Sequence, residues 1–279
     1  MKQKFDNVSA WCSKYTTRYY STSFSLGIRF LGRDFHAPIY AIYGFVRFAD
    51  EIVDSFHGFD KITLLNRFRT DTYEAIEQQI SLNPILNSFQ EAVNRYKIDR
   101  VLIDTFLDSM QMDLHKSQHN QNSYEQYILG SAEVVGLMCL RVFTNGDTAL
   151  YDMLKPAAMK LGAAFQKVNF LRDAKDDYQT LGRNYFPGVC FSNFSLESKR
   201  RVEQEIEEDF KEALMGIRKL PKSSRRGVYL AYFYYKKLFN KIKSSPAQSL
   251  MKERIRISNA HKLAFMFNCF IRHELNVIH

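Results

Sequence analysis

Two pairs of aspartates are the residues whose type and spacing suggest chemistry in this chain. Asp50 and Asp54 lie four residues apart in one apolar segment. Asp173 and Asp177 repeat that spacing in another. Residues four apart share one face of a helix, so each segment would present two carboxylates side by side. One such pair is usually a solvated surface feature, but two pairs that each follow an apolar helical segment are far less ordinary.

The paired carboxylates should attract a hard metal cation. Like charges four residues apart repel, and acids at the C-terminal end of a helix oppose its dipole, so a positive partner is expected. Oxygen ligands favour Mg²⁺, which typically takes one or two carboxylates together with phosphate oxygens of a substrate. Arg47 and Arg172, which precede the two pairs, would add donors for a diphosphate. The pattern therefore predicts Mg²⁺ ions and a diphosphate held between two helix ends.

The aromatic composition fits the reaction that such a site could perform. A metal that withdraws electrons from a diphosphate leaving group can help to ionise an allylic carbon to a carbocation. The chain contains 23 Phe and 16 Tyr, whose ring faces stabilise cations and exclude water. Asn169 lies about one turn and Gln166 about two turns before Asp173, and both would face the metal or the diphosphate.

The elements that must position these residues are predicted to be helices. Only 12 Gly and 6 Pro occur, no linker divides the 279 residues, and strands do not alternate with turns. This composition predicts one all-α domain over residues 1–279. Apolar periodicity and capping residues give the boundaries. The predicted helices cover residues 4–20, 38–54, 64–80, 84–96, 100–115, 123–143, a long segment after a turn at 144–148, 197–217, 222–242 and 246–275.

Three local features have both a structural and a functional interpretation. The Ser/Thr cluster at 21–25 could cap a helix or contact a ligand. Gly130 and Gly136 bound a patch of small residues that lets another helix, or a bound chain, approach closely. His115 and His119 could bind a transition metal, but a solvated helix end is favoured because no third ligand is near in sequence.

The net charge favours an anionic partner. The chain carries a formal charge of +9, from 39 basic and 30 acidic residues. The excess lies mostly in the C-terminal third, where most basic residues are expected to form a solvated helix face. They alternate with acids such as Glu203 and Glu205, and no nucleic-acid-binding motif is present, so nucleic acid is not an expected partner.

Cysteine spacing and hydropathy predict a reduced, cytoplasmic protein. The four cysteines are far apart and form no metal-spaced pair. The N-terminus lacks the apolar core and cleavage site of a signal peptide. The longest run considered as a membrane span, Leu263 to Ile271, is about half of the roughly 20 residues that a spanning helix needs, and Asn268 interrupts it. Peripheral contact with the inner face of a membrane stays open.

Taken in order, the motifs resemble those of the squalene/phytoene synthase family, the head-to-head prenyl diphosphate synthases. The resemblance covers nearly the whole chain, and its most specific part is the second aspartate segment running into G-R-x-Y-x-P at 182–187. The matching motifs are Tyr20-Ser21-Thr22-Ser23-Phe24, Tyr43-x-x-x-Arg47-x-x-Asp50-x-x-x-Asp54, Met112-Asp113, Tyr127 with residues 130–136, Gln166-x-x-Asn169-x-x-Arg172-Asp173-x-x-x-Asp177, Gly182-Arg183-x-Tyr185-x-Pro187, Tyr235 and Arg254.

The resemblance implies the isoprenoid-synthase helical fold, with a central cavity between two Asp-rich helices. In that family two identical prenyl diphosphates join through a cyclopropyl intermediate, which a second ionisation rearranges to a linear hydrocarbon. The roles that the resemblance implies are Mg²⁺ binding for Asp50, Asp54, Asp173 and Asp177; substrate binding for Ser21, Phe24, Arg47, Gln166, Asn169, Arg172, Arg183 and Arg254; and catalysis along the path of the cation for Tyr43, Arg47, Tyr127, Arg172, Tyr185 and Tyr235.

Within this family the sequence favours a phytoene synthase that joins two C20 geranylgeranyl diphosphates, with Mg²⁺ as cofactor and Mn²⁺ as a substitute. No pyridine-nucleotide motif is evident, and phytoene formation ends in proton loss, so NADPH is not expected. The segment from Gly130 to Gly136 resembles the corresponding segment of bacterial phytoene synthases. The sequence does not determine which way the side chain of Glu133 points. Two alternatives remain: a dehydrosqualene or squalene synthase that uses farnesyl diphosphate, and a non-catalytic assembly factor of the same fold.

Overall fold

The computed structural model describes residues 2–115, 118–189, 194–251 and 254–255. This part of the chain is helical and contains no strands, only an isolated bridge between Gln118 and Asn184, so the all-α prediction is confirmed. The α-helices are α1 (Lys2–Tyr20), α2 (Thr22–Arg29), α3 (Arg33–Asp54), α4 (Lys61–Gln78), α5 (Pro84–Tyr96), α6 (Arg100–His115), α7 (Gln121–Ile128), α8 (Val134–Thr144), α9 (Thr148–Gln179), α10 (Leu196–Lys219), α11 (Lys222–Ser244) and α12 (Ala247–Leu250). A π-helix, Leu129–Glu133, joins α7 to α8. One domain over residues 1–279 stays a prediction.

Several boundaries follow from capping residues that the sequence shows. The side chain of Asn83 accepts hydrogen bonds from two backbone N–H groups in the first turn of α5. Asp147 accepts one from the N–H of Leu150 in the first turn of α9. A side-chain oxygen at this position pairs with N–H groups that have no partner within the helix. The predicted bounds of α5 and α6 agree with the structure.

The third helix begins earlier than predicted, so Pro38 lies inside α3 rather than at its start. Gly32 precedes the first turn, and its N–H donates to the carbonyl of Ser223 at 2.7 Å. Asp34 in the first turn interacts favourably with the helix dipole. A contact between remote segments therefore sets the start of α3, which the local pattern does not show.

The segment predicted as one helix over 123–143 consists of three elements. Asn120, rather than Ser123, is the N-cap of α7, and each of these side chains accepts a hydrogen bond from the other's backbone N–H. In the π-helix that follows, a Cβ atom added to Gly130 would lie only 2.5 Å from Cβ of Ser109. The small residue at 130 therefore serves close packing against α6. A π-helix of this kind often occurs at a functional site.

The helix predicted over 246–275 is not continuous. Helix α12 ends at Leu250, and residues 254–255 are not helical. Arg254 instead reaches α9, where its Nε lies 2.7 Å from Oδ1 of Asp173. An ion pair with a residue remote in sequence thus accompanies the end of this helix. Residues 256–275 of the prediction lie outside the described residues.

Two apolar cores border the centre of the molecule. The first includes side chains of α3, α5 and α6, among them the stacked rings of Phe45 and Phe89, whose centroids are 3.9 Å apart. The second includes side chains of α9, α10 and α11, among them Phe210 and Phe239. Because α9 packs against α8 as well as α10 and α11, this long helix borders both cores.

Glu133, at the end of the π-helix, faces a charged group on α9 and α10. Lys167 and Asp209 are both buried, with Nζ and Oδ2 2.6 Å apart, and Lys160 binds the same carboxylate at 3.0 Å. Burial raises the pKa of Glu133, and the positive charges of Lys160 and Lys167 oppose that rise. The Glu133 side chain therefore belongs to this charged group.

One described helical segment, Gln121–Thr144, is long and apolar enough to cross a membrane. Within it, 61% of the most apolar window is buried inside the protein, which is also typical of a core helix. Cys12 and Cys139 are free thiols. Cys190, Cys269 and the apolar run at 263–271 lie outside the described residues.

Candidate active site

A cavity of about 500 Å³ lies between α2, α3, α8, α9, α10 and α11. Apolar side chains form most of its walls, among them Leu31, Leu140, Phe143, Leu154 and Leu220. Its polar lining residues lie towards the C-terminal ends of α3 and α9. They include Tyr20, Ser21, Tyr43, Arg47, Asp50, Tyr127, Gln166, Asn169, Arg172, Tyr235 and Arg254, and Ser131 also lines the cavity.

The cavity is long and changes character along its length. Helix α9 lines it from Leu154 to Arg172, a distance of about 27 Å at 1.5 Å per residue. Its lining residues are apolar as far as Phe165 and polar from there on. The segment from Tyr127 to Phe143 lines another wall over about 24 Å. The cavity is therefore an apolar channel with polar groups at one end.

The two aspartate pairs lie at this polar end. Helix α3 ends at Asp54, and the last turns of α9 carry Asp173 and Asp177. Asp54 is near enough to raise the pKa of Asp177 by charge repulsion. Arg183 follows α9, and its Nη1 donates to Oδ1 of Asp54 at 2.7 Å. The structure thus brings together the two pairs that the sequence keeps more than a hundred residues apart.

Burial and mutual repulsion raise the pKa values of three carboxyl groups here. Burial chiefly raises the pKa of Asp50 to about 8, and Asp54 adds repulsion. Burial and the neighbouring aspartate raise the pKa of Asp177 to about 7. Burial also raises the pKa of Asp113 to about 6, although Arg183 opposes this rise. Ionising all of these groups would leave excess negative charge, the condition under which a divalent cation binds favourably.

Asp113 is a fifth carboxylate that the spacing argument missed. Its side chain, in the last turn of α6, is only 3% exposed. It accepts hydrogen bonds from the hydroxyls of Tyr127 at 2.6 Å and Tyr185 at 3.3 Å. Arg183 also donates to its backbone carbonyl at 3.2 Å. Since Asp113 has no acidic partner four residues away, the Met112-Asp113 motif was the only signal in the sequence.

Arg183 and Tyr185 lie among the acids rather than in the cavity lining. Arg183 is buried and bonds Asp54, and its predicted role in substrate binding stays a prediction. The Tyr185 ring stacks on Phe170, with centroids 4.1 Å apart, and its predicted role along the cation path stays a prediction. Gly182 explains both placements, because its positive φ of 65° turns the chain after α9.

His119 also differs from its expected position. His115 is exposed at the end of α6, as a solvated helix end predicts. His119, in contrast, is buried against Tyr127 and Tyr185, with ring centroids 5.3 and 5.5 Å away. In the part of the chain that the structure describes, no three His, Cys, Asp or Glu side chains are already arranged to hold a metal ion.

Three arginines surround the polar end of the cavity. Arg172 binds Asp173 through two bonds, Nε to Oδ1 at 2.9 Å and Nη2 to Oδ2 at 2.5 Å. Arg254 binds the same carboxylate. Arg47 pairs with Glu51, while its buried Nε has no hydrogen-bond partner among the described residues. Such guanidinium groups suit bidentate recognition of a diphosphate.

Ser21 caps α2 and also lies in the cavity lining, while its predicted contact with a ligand stays a prediction. Its hydroxyl accepts a hydrogen bond from the N–H of Phe24 at 3.2 Å and so caps α2. Ser21 and Phe24 also line the cavity, where the Phe24 ring lies 5.5 Å from that of Tyr43. The cap thus holds this part of α2 against the cavity.

Amides and aromatic rings meet where the channel becomes polar. The hydroxyl of Tyr235 donates to Oδ1 of Asn169 at 3.3 Å. Its ring stacks on Phe165, with centroids 4.0 Å apart. Gln166 lines the same region. Burial raises the pKa of Tyr43 to about 12, so its hydroxyl keeps its proton at neutral pH.

The chain has the isoprenoid-synthase helical fold, an all-helical shell around a long apolar cavity. Its carboxylates and arginines lie at one end of that cavity. Residues 17–261 match the family model described as squalene/phytoene synthase. The chain therefore belongs to the squalene/phytoene synthase family, whose members are head-to-head prenyltransferases. This membership confirms the resemblance found in the sequence.

Relatives in this family carry more than one name. A chloroplastic phytoene synthase 1 from Zea mays is 24% identical over 94% of this chain and 67% of its own length. A 4,4'-diapophytoene synthase from Staphylococcus haemolyticus is 26% identical over 68% of this chain and 65% of its own length. The chain thus spans about two thirds of each of these relatives.

Solved structures show the same fold. A dehydrosqualene synthase in complex with a ligand superposes with a TM-score of 0.85, at 20% identity, over 98% of both chains. A squalene synthase from Alicyclobacillus acidocaldarius superposes with a TM-score of 0.74, at 19% identity, over 85% of this chain and 94% of its own.

The carboxylates at the polar end fit the divalent metal that the family uses. They offer only oxygen ligands, which suit hard cations. Asp50 and Asp177 have pKa values raised towards or above neutrality, so an added cation would relieve their repulsion. Mg²⁺ keeps several waters and shares phosphate oxygens with its substrate, so it does not need three protein ligands arranged in advance.

Proposed function

We propose that this protein is a Mg²⁺-dependent phytoene synthase that joins two geranylgeranyl diphosphates head to head through prephytoene diphosphate. The observation that supports it most is the shape of the cavity. Its wall along α9 runs for about 27 Å, is apolar from Leu154 to Phe165, and ends in a polar region with Asp50, Arg172 and Arg254. A molecule with a long hydrocarbon tail and a diphosphate head has the same division into apolar and anionic parts.

In this proposal the arginines bind and orient the diphosphates. Arg47, Arg172 and Arg254 line the polar end of the cavity. Asp50, Asp54, Asp173 and Asp177 would hold Mg²⁺, which supplies Lewis-acid assistance to the departing diphosphate. Gln166 and Asn169 would position the diphosphate or the waters around the metal.

The aromatic side chains would protect the carbocation that follows ionisation. Tyr43, Tyr127 and Tyr235 line the cavity near its polar end. Their ring faces stabilise a positive charge, and their bulk excludes the water that would quench it. Asp113 holds the hydroxyl of Tyr127 at 2.6 Å and so fixes the orientation of that ring.

A second candidate is a dehydrosqualene or squalene synthase that joins two farnesyl diphosphates. The match to a 4,4'-diapophytoene synthase favours it. Both candidates use the same polar end, and they differ in how far the hydrocarbon tail extends along the channel. A non-catalytic assembly factor is disfavoured, because such a protein has no use for four repelling aspartates beside an apolar channel.

Product analysis tests the substrate. The purified protein is incubated with Mg²⁺ and either geranylgeranyl or farnesyl diphosphate, and hydrocarbons are identified by mass spectrometry. We expect a C40 product from the longer substrate, formed without NADPH. A C30 product alone would move the assignment to the second candidate, and dependence on NADPH would indicate a squalene synthase.

A matched pair of variants tests the metal-binding role. Asp173→Asn should lower turnover about a hundredfold or more, because several kcal/mol of metal assistance would be lost. Asp176→Asn, an exposed acid on the same helix, should keep turnover close to that of the parent protein. Circular dichroism checks that both variants remain folded. Equal turnover in the two variants would contradict the proposed metal site.

A further inference from the structure

Helix α1 has its large aromatic residues on the outside. Trp11, Tyr15 and Tyr19 are 64%, 57% and 74% exposed and recur every four residues, so they share one face with exposed Val8. The opposite face buries hydroxyl side chains of Ser and Thr instead. This arrangement reverses that of an ordinary surface helix, whose apolar face turns to the core.

Close packing explains why small residues lie on the inner face of α1. A Cβ atom added to Gly44 of α3 would lie 3.4 Å from Oγ of Ser13, so the two helices approach closely at this point. The hydroxyl of Thr17 donates to the carbonyl of Ser13 at 2.9 Å, within its own helix. Packing therefore accounts for the inner face, but it does not account for the aromatic residues on the outer one.

The outer aromatic rings form a continuous band. Ring centroids are 5.7 Å apart for Trp11 and Tyr15, and 6.3 Å apart for Tyr15 and Tyr19. From Val8 to Tyr19 the band extends about 16 Å along the helix. Apolar residues scattered singly over a surface need no explanation, whereas a contiguous patch marks an interaction site.

The charges beside this band are basic. Lys4, Lys14 and Arg18 are exposed and fall on or next to the aromatic face by helical spacing. The only acid of α1, Asp6, bonds Lys2 and Asn87 away from that face. Tryptophan and tyrosine suit the boundary between lipid and water, and basic side chains beside them attract anionic headgroups.

The band also leads to the polar end of the cavity. Tyr19 contacts Tyr20 edge to face, with centroids 5.5 Å apart. Tyr20 and Ser21 line the cavity, and the Arg47 guanidinium lies 4.2 Å above the Tyr20 ring. A surface bound by α1 would therefore lie next to the polar end of the cavity.

We propose that the outer face of α1 docks the protein onto an anionic lipid bilayer. The aromatic band would insert at the headgroup level, and Lys4, Lys14 and Arg18 would contact anionic headgroups. The biological use of this docking rests on the proposed function, because a long-chain prenyl substrate and a hydrocarbon product both partition into lipid. The docking itself requires no turnover and can be measured alone.

The single tryptophan of the chain makes a direct test available. Trp11 is the only Trp in the sequence and lies in the band, so its fluorescence reports on this face. The protein is titrated with vesicles of phosphatidylcholine alone and of phosphatidylcholine mixed with phosphatidylglycerol. We expect a blue shift and protection from acrylamide quenching with the anionic vesicles, both reduced by added salt.

Variants separate the aromatic from the electrostatic contribution, with Trp11 kept as the reporter. Tyr15→Ser with Tyr19→Ser should lower partitioning onto anionic vesicles about tenfold or more. Lys14→Glu with Arg18→Glu should lower it roughly thirtyfold or more, since each basic residue near an anionic surface contributes substantially. Leu82→Ser with Met153→Ser removes exposed apolar residues elsewhere and should leave partitioning unchanged.

Four outcomes would overturn the proposal. One is the absence of a shift with anionic vesicles at low salt, and another is equal partitioning onto both vesicle types. A blue shift that grows with protein concentration without lipid, together with a doubled mass by light scattering, would assign the band to a second copy. Quencher protection of the dilute, lipid-free protein would mean that another part of the chain already covers Trp11.

A turnover measurement distinguishes failure of docking from failure of the proposed function. With detergent-dispersed substrate, Tyr15→Ser with Tyr19→Ser should turn over at the rate of the parent protein. With substrate embedded in anionic vesicles, the same variant should be slower. If the variant turned over at the parent's rate in vesicles as well as in detergent, a role for α1 in delivery would be contradicted. Absence of turnover by the parent protein in every preparation would count against the proposed function alone.

Discussion

The buried carboxylates give the metal-free protein a characteristic dependence on pH. Asp50, Asp177 and Asp113 have folded-state pKa values raised to about 8, 7 and 6. Between about pH 4 and pH 8 the folded chain therefore holds protons that the unfolded chain has released. Stability falls with rising pH wherever the folded state binds more protons, so these groups destabilise the protein across that range.

Mg²⁺ should reverse this effect, because it binds the ionised carboxylates. We expect saturating Mg²⁺ to raise the melting temperature by about 3 °C or more at about pH 8, and by less at about pH 6. Thermal unfolding with EDTA or with Mg²⁺ measures both effects. Asp50→Asn should flatten the pH dependence of the EDTA series, and an unchanged slope would contradict the raised pKa of Asp50.

Arg183 is the cation that joins the end of α3 to the end of α6. It binds Asp54 and the backbone of Asp113. Arg183→Leu should lower the free energy of unfolding by about 3 kcal/mol near pH 8, since the buried carboxylate of Asp113, 4.0 Å from the Arg183 guanidinium, loses its cation. Near pH 5 the loss should be smaller, because protonated carboxyls need less neutralisation.

Urea denaturation at the two pH values measures this effect. The control is Arg100→Leu, which removes an exposed pair with Glu77 at 3.1 Å and should cost less than about 1 kcal/mol at either pH. A loss for Arg183→Leu that does not depend on pH would show that packing, rather than charge, explains its effect.

At the scale of helices, close approach at small residues shapes the cavity wall. A Cβ atom at Gly162 of α9 would lie 2.5 Å from the carbonyl oxygen of Ala132 in the π-helix. Gly162 also lines the cavity, so the same contact fixes the distance between the two walls. The irregular turn of the π-helix and the missing side chain on α9 therefore fit each other.

Gly162→Ala should lower the free energy of unfolding by about 1–3 kcal/mol, because the two backbones must move apart. Gly27→Ala is the matched control, since its nearest new contact would be 3.7 Å away and alanine is the better helix former. Chemical denaturation of both variants gives the comparison. Equal stability of the two would contradict a tight contact at 162.

For the whole molecule, the length of the channel should determine the substrate. The wall from Tyr127 to Phe143 lines about 24 Å of it, and Cys139 lies one turn before the far end. Burial raises the pKa of the Cys139 thiol to about 12, so this residue acts as a small neutral wall group. A larger side chain there would block the last part of the channel.

Cys139→Phe should therefore discriminate against the longer substrate. We expect kcat/KM for geranylgeranyl diphosphate to fall about tenfold or more relative to farnesyl diphosphate. Cys139→Ala should keep the ratio of the parent protein, and melting temperatures separate this effect from overpacking. An unchanged ratio in Cys139→Phe would mean that substrate tails do not reach this part of the channel.

The sequence by itself determined the helical class, the family and the two aspartate pairs. Spacing of four places Asp50 with Asp54, and Asp173 with Asp177, on one helical face whatever the rest of the chain does. The predicted bounds of α5 and α6 also agree with the structure, because capping and apolar periodicity act over a few residues.

Only the tertiary structure decided which remote residues meet. Asp113 joins the site because Tyr127, Tyr185 and Arg183 come to it from three separate segments. The start of α3 depends on a contact with α11, and the channel length depends on how α8 and α9 pack. These features arise from burial and contact between segments far apart in the chain, and such interactions leave no local periodicity in the sequence.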